Sequence, residues 1–131
     1  MLECLMSNGR LRTYVVEDSS IIRDNLTDAL QENALVDVVG TAEDEPSAVA
    51  WLLDPAHACD LVIVDIFLKS GSGLGVLKKI ADREPPIRRV VLSNHATPEI
   101  RAKCAELGAD KVFDKSNEID EMLGYFNRLT H

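Results

Sequence analysis

Along this chain the hydrophobic positions switch period repeatedly. Residues 13–16, 36–40, 61–64, 89–92 and 111–113 are short runs, apolar throughout or alternating, and between them apolar residues recur every three or four positions. The first pattern predicts β-strands and the second amphipathic helices. Ile22, Leu26 and Leu30 make the stripe of a first helix, with Ser19 and Ser20 placed to cap it. Pro46 suits the first turn of a second helix carrying Val49, Leu52 and Leu53. Leu74, Leu77 and Ile80 mark a third. Thr97 and Pro98 open a fourth, and Gly108 closes it as a C′ residue. Asn117 is the expected cap of a fifth, whose buried stripe is Ile119, Met122, Leu123 and Phe126.

Strands alternating with helices predict an α/β fold: a five-stranded parallel sheet with five flanking helices. LVIV at Leu61–Val64 is apolar throughout, as a central strand covered on both faces must be. The runs VDVV and KVF carry charge, as edge strands do. This grading fits the strand order 2-1-3-4-5, in which strands 1 and 3 flank the topological switch point and ligands bind beyond the carboxyl ends of the strands.

The chain has 131 residues, 46% of them hydrophobic and 27% charged, which fits one domain. Residues 1–10 are expected to be an N-terminal extension, disordered or forming one helical turn through Leu2, Leu5 and Met6; residues 11–131 form the domain. A formal net charge of −8 makes phosphate backbones and anionic membranes poor partners, so neither nucleic acid nor membrane binding is expected of this chain alone. No apolar run approaches the length of a bilayer span, and no signal peptide is read. Cys4, Cys59 and Cys104 have no CxxC spacing and are expected to be free thiols in a reducing cytoplasm.

The chemistry gathers where the strands end. Strand 1 runs into the adjacent carboxylates Glu17 and Asp18, strand 3 into Asp65, strand 4 into Ser93 and strand 5 into Lys115. Carboxylates about 5 Å apart repel by roughly 3 kcal/mol per pair at an effective dielectric near 20, so three of them together call for a cation, a proton or a lysine. A hard divalent ion, Mg²⁺ or Mn²⁺, suits this donor set. Asp18 would ligate it directly, Glu17 through water, and Asp65 would complete the acidic set. Asp65 could also be a nucleophile that accepts a phosphoryl group as an acyl phosphate. The metal, the Lys115 ammonium and the Ser93 hydroxyl would then neutralise the phosphoryl oxygens.

Four motifs in order, VVEDS, LVIVDIFL, VVLSN and VFDKS, resemble the receiver domain of bacterial two-component response regulators, the CheY-like family with a flavodoxin-like fold. The likeness covers roughly residues 11–129, and Gly73 also matches a glycine of that family. The resemblance implies a phosphoacceptor domain: Asp65 phosphorylated by a histidine kinase, a phosphotransfer protein or a small phosphodonor, with Mg²⁺ held by Glu17, Asp18, Asp65 and the Phe67 main-chain carbonyl. Such a domain promotes its own phosphorylation and dephosphorylation and is not a turnover enzyme. It also implies an output face made by helix 4, strand 5 and helix 5, residues 98–107 and 111–129, for a downstream protein partner. The last helix ends close to His131, so a single-domain receiver is expected, with excision from a longer regulator as the alternative.

The sequence departs from the family at particular places. Val112 stands where an aromatic switch residue is common, and strand alternation turns Phe113 to the opposite face. Ser116 follows Lys115 in place of proline, which predicts either a strained peptide or a rearranged loop. Asn94 replaces a small residue and would narrow access to Asp65. Phe67 and His95 would flank the phosphoryl group, with the Phe67 ring excluding water. These departures leave a degenerate receiver, binding partners without phosphorylation, as the alternative function. A haloacid-dehalogenase-type phosphatase would need a second aspartate at the place of Phe67. The glycine-rich SGSGLG lacks the third glycine of a dinucleotide loop and the lysine of a P-loop, and is read as a turn. His57 and His131 show no ligand spacing; His57 is expected in a loop and His95 at the rim of the site.

Overall fold

The computed structural model describes residues 10–34 and 36–129. Its strands are β1 (Leu11–Val16), β2 (Val36–Ala42), β3 (Leu61–Val64), β4 (Arg88–Ser93) and β5 (Lys111–Asp114). They alternate with helices α1 (Ser20–Asn33), α2 (Glu45–Leu53), α3 (Gly73–Lys79), α4 (Pro98–Glu106) and α5 (Ile119–Leu129). The strands pair in parallel in the order β2-β1-β3-β4-β5, as the polarity grading requires. The expected turn at Leu2, Leu5 and Met6, and the thiol of Cys4, lie outside the described residues. Arg10 already belongs to the fold, its guanidinium 3.0 Å from Asp37 and 3.1 Å from the Val36 carbonyl.

Side-chain alternation divides the core between the two faces of the sheet. Val15, Ile63, Val90, Leu92 and Phe113 pack under α1 and α5, against Leu26, Leu30, Met122 and Phe126. Tyr14, Val16, Val62 and Val64 face Ala48 and Leu52 of α2 and Val76 of α3. Val91 meets Leu77 and Cys104 beneath α3 and α4, with Val112 at the edge of that cluster. Phe113 and Val112 therefore lie on opposite faces, as the alternation predicts. All four residues of β3 are at most 1% exposed. Burying each contributes about 1.5–3 kcal/mol, which makes β3 the rigid post that carries Asp65.

Local capping follows the sequence closely. Ser19 accepts from the Ile22 N–H, Asp44 from Ser47, Ser72 from Leu74 and Thr97 from Ile100. At the end of α4, Gly108 takes φ +97°, its N–H donates to Ala105 and the Ala109 N–H to Cys104. That pair of bonds is a Schellman motif, which requires the left-handed residue glycine supplies. The expected cap of α5 is corrected. The Met122 N–H donates to the Glu118 carbonyl, so the residue before the helix is Glu118, and Asn117 sits in the preceding turn. Glu118 is drawn there because its carboxylate accepts from the Asp114 N–H at 2.7 Å and from Arg101 at 2.8 Å. The α1 stripe is also shorter than expected: Leu26 and Leu30 are buried, whereas Ile22 is 39% exposed.

Candidate functional site

Parallel pairing sets the site. The Asp65 N–H donates to the Val16 carbonyl at 3.0 Å and the Glu17 N–H to the Ala42 carbonyl at 2.9 Å, so β1 and β3 end at the same level. Carboxylate oxygens of Glu17, Asp18 and Asp65 consequently lie within 4.8 Å of one another. Lys115 arrives from β5, whose register is fixed by its N–H donating to the Ser93 carbonyl at 3.0 Å. Its ammonium stands 2.5 Å from Glu17 Oε1 and 2.9 Å from Asp65 Oδ2. Glu17 is nearly sealed, and its second oxygen accepts the Ser19 N–H at 3.1 Å.

Burial works against the Lys115 charge, but the hydrogen bonds and charges of Asp65 and Glu17 outweigh it and raise the ammonium above its ordinary pKa. Lys115 therefore touches two of the three carboxylates but offsets only one negative charge. Asp18, only half-buried, is reached by neither contact. Three hard oxygen donors converging beside solvent, with two negative charges left over, match what Mg²⁺ or Mn²⁺ ligates.

Around this acidic centre the other expected residues fall as follows. Ser93 is fully buried at the end of β4, and its hydroxyl accepts the His95 N–H at 3.0 Å. Among the described residues it makes no hydrogen bond to Asp65. Phe67 is 59% exposed, and its ring meets His95 edge-to-face with centroids 5.4 Å apart. Asn94 and His95 are exposed on the same rim. The segment 66–72 returns on itself: Phe67 pairs with Ser72 in an antiparallel bridge and the Gly73 N–H donates to the Ile66 carbonyl at 2.8 Å. A Cβ on Gly73 would collide with the Asp65 carbonyl oxygen and Val64, so only glycine lets α3 start this close to the site. His57 lies in a loop, stacked on Trp51.

A family model described as the response regulator receiver domain matches residues 13–127. The chain is a member of that family. It is 34% identical over 102 residues to a protein-glutamate methylesterase/protein-glutamine glutaminase of Symbiobacterium thermophilum, covering 76% of this chain and 27% of that protein. It is 27% identical over 99 residues to the DNA-binding transcriptional activator DevR/DosR of Mycobacterium tuberculosis, covering 76% and 45% respectively. Its fold matches the signal receiver domain of the putative response regulator NarL from Mycobacterium tuberculosis with a TM-score of 0.80 and 26% identity, over 92% of this chain and 96% of that one. The chain thus spans less than half the length of either of those curated relatives.

As a receiver it keeps the full polar set, so the degenerate alternative gains no support from these relatives. Its departures are accommodated by local structure. The Lys115–Ser116 bond is not among the cis peptides, and the chain instead turns through residues 115–117. The Asp114 carboxylate holds both the N–H and the hydroxyl of Ser116, which lowers its pKa. The rearranged loop is thus the outcome. The lysine that the carboxylate cluster calls for is Lys115, paired with Glu17 as well as with Asp65. Two residues, Arg101 and Glu45, have contacts near the site that the sequence pattern does not announce. Arg101 ties the Ala96 and Val112 carbonyls to Glu118. Glu45 reaches into the loop after Asp65 and accepts the Ser72 N–H at 2.9 Å. An arginine or glutamate within a helix has no local signature of such a partner.

Proposed function

We propose that this receiver is a phosphoacceptor whose Asp65 takes a phosphoryl group from a histidine kinase, a phosphotransfer protein or a small phosphodonor. The observation that carries the reading is the convergence of the Glu17, Asp18 and Asp65 carboxylates within 4.8 Å, with Lys115 bridging two of them. Glu17, Asp18, Asp65 and the Phe67 carbonyl would hold Mg²⁺ or Mn²⁺. Such an ion, when bound, neutralises charge on the phosphoryl oxygens.

The residues of the chain do the rest. An Asp65 carboxylate oxygen forms a bond to phosphorus as the bond from phosphorus to the donor's nitrogen or carboxylate oxygen breaks, and the electron pair leaves with the donor. Lys115, already hydrogen-bonded to Asp65, shifts its ammonium onto the incoming phosphoryl oxygen. The Ser93 hydroxyl, one strand away, accepts the His95 N–H and has its own O–H to donate to a phosphoryl oxygen. Water later cleaves the acyl phosphate, so the domain completes a signalling cycle rather than serving as a turnover catalyst. The exposed Phe67 ring, seated against His95, restricts that water, and the acyl phosphate is long-lived. Output passes to a protein partner through the face made by α4, β5 and α5, in the cytoplasm. The receiver spans residues 11–131, with Arg10 of the preceding segment tied onto it.

Incubation with acetyl phosphate, with Mg²⁺ or with a chelator, followed by intact mass, tests this reading. One phosphoryl group added only with the metal, and none on Asp65→Asn, is the expected result. No adduct on the wild type, beside a competent receiver labelled in parallel, would reject it and restore the degenerate alternative.

A further inference from the structure

The glycine-rich SGSGLG has no nucleotide to bind, yet its glycines make room for two groups of this chain. A Cβ at Gly73 would meet the Asp65 carbonyl; a Cβ at Gly71 or Gly75 would meet the Glu45 carboxylate. Glu45 opens α2, on a different element and 27 residues before the Ser72 it contacts. Its side chain is only 13% exposed. One oxygen accepts the Ser72 N–H at 2.9 Å, the other accepts from Lys79 Nζ at 2.6 Å, and its own N–H donates to the Ser70 carbonyl at 2.9 Å. Ser72 is the residue bridged to Phe67, and the next residue, Gly73, is bonded back to Ile66. Glu45 therefore pins the far strand of the narrow strap whose near strand leaves Asp65.

We infer that Glu45 is a positioning residue for the acidic site, fixing through Ser72 where the Phe67 carbonyl and ring stand beside Asp65. The inference rests on the phosphoacceptor reading of that site. An outer residue that orients a metal ligand changes affinity without touching the ion. The exposed Lys69–Glu43 pair at 3.4 Å joins the same two loops, but an ion pair so open to solvent contributes little. The half-buried carboxylate is the effective tie.

The test compares wild type, Glu45→Ala, Glu45→Gln and Gly75→Ala. Three quantities are measured: Mn²⁺ affinity by electron paramagnetic resonance, acyl-phosphate half-life after acetyl phosphate, and amide exchange of residues 66–73 without metal. Glu45→Ala should weaken Mn²⁺ binding about tenfold or more. It should also shorten the half-life and speed exchange across 66–73, while α5 keeps its protection. Glu45→Gln retains an oxygen for the Ser72 N–H and should recover most of the metal affinity, as a merely structural charge would not. Gly75→Ala, which displaces the carboxylate without removing it, should behave like Glu45→Ala and stands in for it if that variant fails to fold. Mn²⁺ affinity of Glu45→Ala and Gly75→Ala within about twofold of wild type, or a loss that Glu45→Gln does not repair, would overturn the inference. A wild type that neither binds Mn²⁺ nor takes a phosphoryl group would instead overturn the phosphoacceptor reading.

Discussion

Lys115 stands 2.9 Å from Asp65 and holds Glu17 with the same ammonium, so the residue expected to meet the phosphoryl group already compensates the site at rest. Its charge leaves Asp18 without a counter-ion from this pair. Neutralising Asp18 should relieve repulsion. Asp18→Asn is expected to gain about 1 kcal/mol or more without divalent metal, roughly 3–6 °C in melting temperature. Asp65→Asn should gain less, because it also takes a partner from Lys115. Mg²⁺ should stabilise the wild type more than either variant. Thermal melts of the three proteins, with and without Mg²⁺, check this; coincident curves would contradict it.

Phe67, two residues after Asp65, leans on His95, and its ring is proposed to shield the acyl phosphate. Replacing it with a small polar residue opens the acyl phosphate to water. Phe67→Asn should lose its phosphoryl group severalfold faster than the wild type, and His95→Ala should fall between them. Single-exponential decay of the phosphorylated protein, followed by mass, gives the three rates. Equal or faster decay in the wild type would refute the shielding role.

Glu45 also gives a pH dependence. The Lys79 hydrogen bond, followed by that of the Ser72 N–H, holds its carboxyl below the ordinary carboxylate pKa against the effect of burial. A folded pKa below the unfolded one means stabilisation that is complete above about pH 4.3 and lost as pH falls through the lower folded value. The stability of wild type minus that of Glu45→Gln should therefore be constant from neutral pH to about 5 and shrink below about 4. Urea titrations at a series of pH values measure it. A difference that grows on acidification would be the wrong sign.

Gly73→Ala drives a methyl group into the Asp65 carbonyl and Val64. Overpacking of this kind costs about 1–3 kcal/mol, or roughly 3–12 °C in melting temperature. Because the displaced backbone is that of Asp65, phosphorylation should slow as well. A variant that melts and phosphorylates like the wild type would show that the strap yields freely.

The sheet order and the meeting of Glu17, Asp18 and Asp65 were legible because both depend on strand patterns. Four consecutive apolar residues can be covered on both faces only in a central strand, and LVIV then carries Asp65 beside the end of YVV. Phe113 could be turned away from Val112 by alternation alone. What stayed hidden depends on partners distant in sequence. Glu118 displaced Asn117 at the start of α5 because Arg101 and the Asp114 N–H both claim its carboxylate, and neither lies in the local window. Glu45 sits in the acidic run Glu43–Asp44–Glu45, where only the cap at Asp44 has a local signature. The glycines that receive its carboxylate read, in one dimension, as an ordinary turn. Ile22 keeps the spacing of a buried stripe but lies near the start of α1, where the helix face is exposed.

The most direct measurement asks which atom carries the phosphoryl group. After treatment with acetyl phosphate and Mg²⁺, borohydride reduces an aspartyl acyl phosphate to homoserine, and peptide mass spectrometry locates it. The account predicts homoserine at position 65 alone, absent when Mg²⁺ is chelated. Homoserine at position 18, or at none, in protein that has taken up phosphate would contradict it.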